Sequence, residues 1–168
     1  MTGPHILTFL HLSNFLTMPF TKIASDIGGV LLESKFRADG DTADHEATAT
    51  WLPGALEGLR SLTASHTVYL LSFCGKKTED ATRERLRAAD VHTWLPEERW
   101  LFCRDRKHKP RLMKEHGIEL LIDDRGDIIA NVRAQGLVGI HFTDWASALA
   151  EFATLNAAAD PACGAGSE

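Results

Sequence analysis

The sequence predicts an α/β fold in three layers, α/β/α, with helices packed on both faces of a parallel five-stranded sheet. Three observations carry this expectation. Short apolar runs of strand length recur five times, and segments with helical spacing of apolar residues fill most of the intervals between them. Proline and glycine stand near the starts and stops of those helical segments. A strand buried on both faces reads as a continuous apolar run rather than an alternating one, because helices cover both sides of a parallel sheet.

The five runs are KIAS (Lys22–Ser25), TVYLLS (Thr67–Ser72), WLFC (Trp100–Cys103), ELLID (Glu119–Asp123) and LVGIHF (Leu137–Phe142). Between them lie PGALEGLRSLTAS, KTEDATRERLRAAD, PRLMKEH and RGDIIANVRAQG, each spaced as a helix with one apolar stripe, and DWASALAEFATL reads as a closing helix. Pro53 and Pro110 stand where a first helical turn would begin, and Gly117 and Gly136 where helices would stop.

At 168 residues, with 44% apolar and 24% charged residues, the chain can bury the core of one domain. Its net charge of −5 excludes a general role in coating nucleic acid or a membrane surface. Three cysteines, Cys74, Cys103 and Cys163, have no metal or redox spacing and suit a reducing, cytoplasmic setting. The apolar stretch ILTFLHLSNFL (Ile6–Leu16) is too short and polar-interrupted to span a bilayer, and it lacks the marks of a signal peptide. Residues 1–17 therefore read as an N-terminal extension, 18–156 as a single domain, and 157–168 as a disordered tail.

Ligands of such sheets bind at the carboxyl ends of the strands, so the residues there are the ones to weigh. Asp26 ends the first run and precedes Gly28 and Gly29, whose backbone can approach an anion. A carboxylate in that place serves as a nucleophile or a metal ligand, and equally as the cap of a turn. Ser72, followed by Phe73 and Gly75, offers a hydroxyl and free backbone amides to a phosphoryl oxygen; serine is also a common turn residue. Lys109 precedes a helix start, where an ammonium would neutralise phosphate charge or sit in a solvated basic loop. Asp123 and Asp124 end the fourth run side by side. Adjacent carboxylates repel unless a cation compensates them, and such oxygen-only ligands favour Mg2+; capping of the next helix is the competing explanation.

Taken in order, SDIGGVLL, LLSFCG, HKP and LIDDRGD resemble the four motifs of the haloacid dehalogenase (HAD) superfamily, over about Lys22 to Phe142. The resemblance implies a Rossmann-like sheet of order 5-4-1-2-3. It implies that Asp26 becomes an aspartyl-phosphate, that Ser72 and Lys109 (or, as a second choice, Lys107) hold the phosphoryl group, and that Mg2+ sits between Asp26, the Gly28 carbonyl, Asp123 and Asp124. The chain departs from the pattern at Gly28, where phosphatases of the superfamily usually carry a second Asp as general acid and base. Glycine cannot supply that proton, which leaves three readings: substrates with good leaving groups, an acid from the following loop (Glu33, His45 or Glu46), or a binding module that does not turn over.

Leu31–Trp51 is long enough for a flap and too short for a folded cap, so a capless member is expected. An open site of that kind implies a large substrate or closure by a partner subunit in a homodimer. The run RDRKHK (Arg104–Lys109) puts Arg104 and Lys107 at the rim as substrate-binding candidates. With Trp94 and Trp100 upstream, it is also a composition that binds a nucleic-acid end; tryptophans packed in the core and a basic loop balancing an acidic site is the favoured reading. The expected function is thus that of a Mg2+-dependent phosphohydrolase or phosphotransferase acting on a phosphorylated small molecule or macromolecule.

Overall fold

A computed structural model of the protein describes residues 20–33 and 49–158. Five strands form one parallel sheet: β1 (Lys22–Ser25), β2 (Thr67–Phe73), β3 (Trp100–Cys103), β4 (Leu120–Asp123) and β5 (Val138–His141). Their order is β3-β2-β1-β4-β5, the expected order read from the opposite edge. The helices are α1 (Ala55–Thr63), α2 (Lys76–Ala88), α3 (Lys109–His116), α4 (Gly126–Ala134) and α5 (Trp145–Ala158). The last of these extends to Ala158, two residues into the segment read from sequence as tail.

Side-chain alternation along the strands divides the core into two layers. Ile23, Val68, Leu70, Leu120, Ile122 and Ile140 face α1, α2 and α5, where Leu59, Leu62, Leu86 and Phe152 meet them. Ala24, Leu71 and Leu121 face α3 and α4 through Met113, Ile128 and Val132. No described helix is long and apolar enough to cross a membrane.

Element ends differ slightly from the sequence pattern. β4 begins at Leu120 rather than Glu119, whose backbone N–H still donates to the Lys22 carbonyl at 2.9 Å and whose carboxylate accepts from the backbone N–H of Thr21 and Lys22, at 2.7 and 3.0 Å. The helix expected at Pro53 starts at Ala55 instead, after Gly54 takes a left-handed φ of 75°. Pro110 does occupy a first turn, and Gly117 closes α3 with φ 67°.

Beyond β1 the chain winds tightly: the N–H groups of Val30, Leu31 and Leu32 all point to the Ile27 carbonyl, at 3.3, 2.8 and 3.0 Å. Gly29, at φ 79°, provides the left-handed step that this turn needs. Trp145 pins the turn from the far side, donating from Nε1 to the Val30 carbonyl at 2.8 Å. An indole nitrogen this deeply buried needs such a partner. Leu32 and Trp51 then form an antiparallel bridge, and Glu33 N–H donates to the Thr50 carbonyl at 2.9 Å. These contacts close the base of the expected 31–51 flap; its residues 34–48, with the alternative acids His45 and Glu46, lie outside the described residues, as do 1–19 and 159–168.

Gly58 on α1 lets Trp145 sit directly against the helix, and a β-carbon there would collide with the indole ring. Gly58→Ala should therefore cost about 1–3 kcal/mol through overpacking. A urea titration of the variant checks this, and an unchanged midpoint would mean that Trp145 has room to shift.

Candidate active site

Strand register brings Asp26, Ser72 and Asp123 to the same end of the sheet. Ser25 pairs with Leu70 on one side and Ile122 on the other, so Asp26 leaves the sheet beside Asp123 and one pleat from Ser72. Hydrogen bonding continues past the strand, with Asp26 N–H donating to the Ile122 carbonyl at 2.8 Å. One oxygen of Asp26 accepts from Ile27 N–H at 2.8 Å.

Lys109 enters from the start of α3 and is 1% exposed. Its ammonium lies 2.9 Å from Asp26 Oδ2 and 2.6 Å from Asp123 Oδ2. Burial opposes the lysine charge, but Asp26 and Asp123 outweigh it and hold the pKa above the ordinary lysine value. The second oxygen of Asp123 accepts from Arg125 N–H at 2.9 Å, which turns the chain into α4. Asp123 thus holds the turn before α4 with one oxygen and meets Lys109 with the other, while α4 itself has no side-chain cap.

Asp124 packs its carboxylate on Gly29, and any side chain at position 29 would collide with it. Its backbone carbonyl lies 3.0 Å from His141 Nε2. A carbonyl only accepts, so that imidazole nitrogen carries the proton and donates it. One oxygen each from Asp26, Asp123 and Asp124 lies within 4.8 Å of the others. Three carboxylates against the one ammonium of Lys109 leave a local excess of negative charge. Burial first, and the Asp26 charge second, raise the pKa of Asp123 to about 6 and push Asp124 above the usual carboxylate range. A hard divalent cation fits that donor set in charge and chemistry, and Mg2+ is bound by such carboxylates with water and phosphate.

The remaining candidates occupy the rim. Ser72, one residue short of the end of β2, is buried, with its carbonyl accepting from the Cys103 thiol at 3.6 Å. Phe73 follows it and is 40% exposed. Gly75 begins α2 in extended backbone with open space around it, so no close approach requires a glycine there. Arg104 donates to the Cys74 carbonyl at 2.8 Å and pairs with Glu79, an ion pair that fixes the end of β3 to α2. Lys107 is exposed, and its N–H completes a turn on Asp105 at 2.9 Å. Glu33 is exposed at the flap base. Trp100 lies in the core with its N–H on the Leu95 carbonyl, and Trp94 packs against Arg60, so neither tryptophan faces the rim. Sequence reasoning missed His141 behind Asp124, for which a histidine ending the strand next to the acidic pair was the available signal. Arg106, within the basic run singled out from the sequence, lies over the Phe73 ring.

The acidic cluster has a measurable pH signature. Asp123 holds its proton more tightly when folded (pKa about 6) than in an unfolded chain (3.8). Its contribution to stability is therefore full below pH 3.8 and is lost as pH rises through about 6. In EDTA, the stability of the protein relative to Asp123→Asn should fall between pH 4 and 7, measured by urea unfolding. Added Mg2+ should recover stability at pH 7 and not at pH 4; a flat difference would refute the buried charge excess.

No protein-family model and no curated protein matches the chain. Solved structures do match its fold. A chain of the Pnkp1/Rnl/Hen1 RNA repair complex superposes with TM-score 0.58 at 18% identity, over 74% of this chain and 43% of that one, so the match spans less than half of that protein. A hydrolase from Streptococcus pneumoniae TIGR4 gives TM-score 0.58 at 14% identity, over 82% of this chain and 100% of the other. A HAD family enzyme from Bacteroides thetaiotaomicron, solved in complex with magnesium and inorganic phosphate, gives 0.51 at 13%, over 74% and 94%. The protein has the fold of the haloacid dehalogenase-like hydrolases.

Proposed function

We propose that the protein is a phosphohydrolase or phosphotransferase working through an aspartyl-phosphate on Asp26, with Mg2+ as its metal. The observation that carries this reading is the Asp26–Lys109–Asp123 contact with Asp124 beside it, a buried ammonium and a three-carboxylate cluster at the carboxyl end of β1. Such groups are the materials of phosphoryl transfer, which asks a protein mainly for positioning and charge stabilisation.

Asp26 attacks phosphorus with one carboxylate oxygen while the bond to the leaving oxygen breaks and its electron pair departs with it. Ile27 N–H and Lys109 hold the two oxygens of Asp26 and so fix the approach. Lys109 keeps its proton throughout and balances charge on the phosphoryl group, which the Ser72 hydroxyl also contacts. Water then attacks phosphorus, the Asp26–phosphorus bond breaks, and inorganic phosphate leaves; transfer to another acceptor follows the same path. Asp26, Asp123, Asp124 and the Gly28 carbonyl would hold Mg2+, which when bound draws charge from the phosphoryl oxygens. Gly28 provides no proton to the leaving oxygen, so the favoured substrates are those whose leaving group departs unprotonated.

A second reading, a domain that binds a phosphorylated ligand or partner without turnover, is favoured by that same glycine. Hydrolysis of p-nitrophenyl phosphate separates the two. The expected result is Mg2+-dependent activity that falls at least about 10³-fold in Asp26→Asn. Gly28 does not have positive φ, so an aspartate is compatible with its backbone. Gly28→Asp should then raise activity on alkyl phosphates, where general acid help is worth about 10²–10⁴. Absence of both turnover and covalent phosphate on Asp26 would establish the binding module.

A further inference from the structure

Phe73 is the exposed large apolar side chain among the described residues, and it directly follows Ser72 at the open end of β2. The Arg106 guanidinium lies over its ring, 5.1 Å from the centroid. The other arginines of the rim are engaged: Arg104 with Glu79 and Arg125 with Asp127. Arg106 hydrogen-bonds to no carboxylate among the described residues. Its charge still reaches Asp127 on the first turn of α4, where the Arg125 hydrogen bond first and Arg106 last help to hold that carboxyl low. An aromatic ring left open under a guanidinium makes a platform for a planar π-system, through stacking and cation–π attraction.

The site behind the platform lacks an acid at Gly28. With no proton from position 28, the leaving oxygens that suit the site are those that depart as anions. A phenolate, whose conjugate acid has a pKa of about 10, departs far more readily than an alkoxide. The rim and the missing acid thus select for the same chemistry. We infer that Phe73 and Arg106 form the leaving-group subsite for an aryl phosphomonoester, an inference that rests on the phosphoaspartyl reading of Asp26. The aryl ring stacks on Phe73 beside Arg106 while phosphorus meets Asp26. As the Asp26–phosphorus bond forms and the aryl oxygen–phosphorus bond breaks, the phenolate leaves with the electron pair and is protonated by solvent.

The test compares kcat/KM for phenyl phosphate with that for acetyl phosphate, which needs no acid either but has no ring. Phe73→Leu should lower the phenyl-to-acetyl ratio about tenfold, chiefly through KM, and Phe73→Tyr should restore it; Arg106→Gln should lower it less, about threefold. A ratio unchanged in Phe73→Leu overturns the subsite. A phosphotyrosyl peptide assayed in parallel distinguishes the source of the aryl group: preference for the peptide assigns it to a protein side chain, preference for phenyl phosphate to a small molecule. If neither ester nor acetyl phosphate is hydrolysed, the phosphohydrolase reading has failed, and calorimetry with Mg2+ decides the subsite separately. Phenyl phosphate binding tighter than inorganic phosphate, with the advantage lost in Phe73→Leu, upholds it; equal binding of the two ligands overturns it.

Discussion

Everything at this end of the molecule depends on one buried ammonium. Lys109 lies within hydrogen-bonding distance of carboxylates from β1 and β4, and it begins the helix that covers that face of the sheet. Removing a charge of this kind from water costs several kcal/mol, and the attraction to two acids in a poorly polar interior is what compensates it. Replacing the whole ion cluster by well-packed apolar side chains would often serve stability equally well, whereas removing the lysine alone would strand its acids. A buried lysine with three acids around it is the arrangement that marks this end of the sheet as the candidate functional site. The same contact couples the site to the architecture: if α3 moved, Asp26 and Asp123 would face each other without their counterion.

The basic run at the rim divides by partner. Arg104 is bound into an ion-pair chain with Glu79 and Arg83, which lowers the Glu79 pKa despite its partial burial and ties β3 to α2. Lys109 is internal. Arg106 and Lys107 are the cations of the run left without a carboxylate hydrogen bond among the described residues, although all four lie within six positions. Charge counted along a sequence therefore overstates what the surface offers to a ligand.

The sheet was legible because strands covered on both faces must be apolar throughout, and TVYLLS and ELLID carry that constraint openly. Asp26, Lys109, Asp123 and Asp124 were legible because polar residues at the ends of such runs stand out against them. Residues whose role depends on distant partners were not. Nothing local says that Arg104 reaches Glu79 rather than a ligand, that His141 supports the Asp124 carbonyl, or that the Glu119 carboxylate reaches the backbone N–H groups of Thr21 and Lys22. Trp94 and Trp100 do pack inward beside the basic run, as the favoured reading of the sequence expected.

The paired glycines after Asp26 differ in their openness to substitution. Position 29 is closed: its left-handed backbone and the Asp124 carboxylate against it admit no side chain, so substitution there would displace an acid of the cluster. Position 28 has no positive φ, so its backbone leaves the residue type open. One glycine of the pair is thus fixed by folding, and the other stands where the make-up of the acidic cluster can vary without remaking the turn.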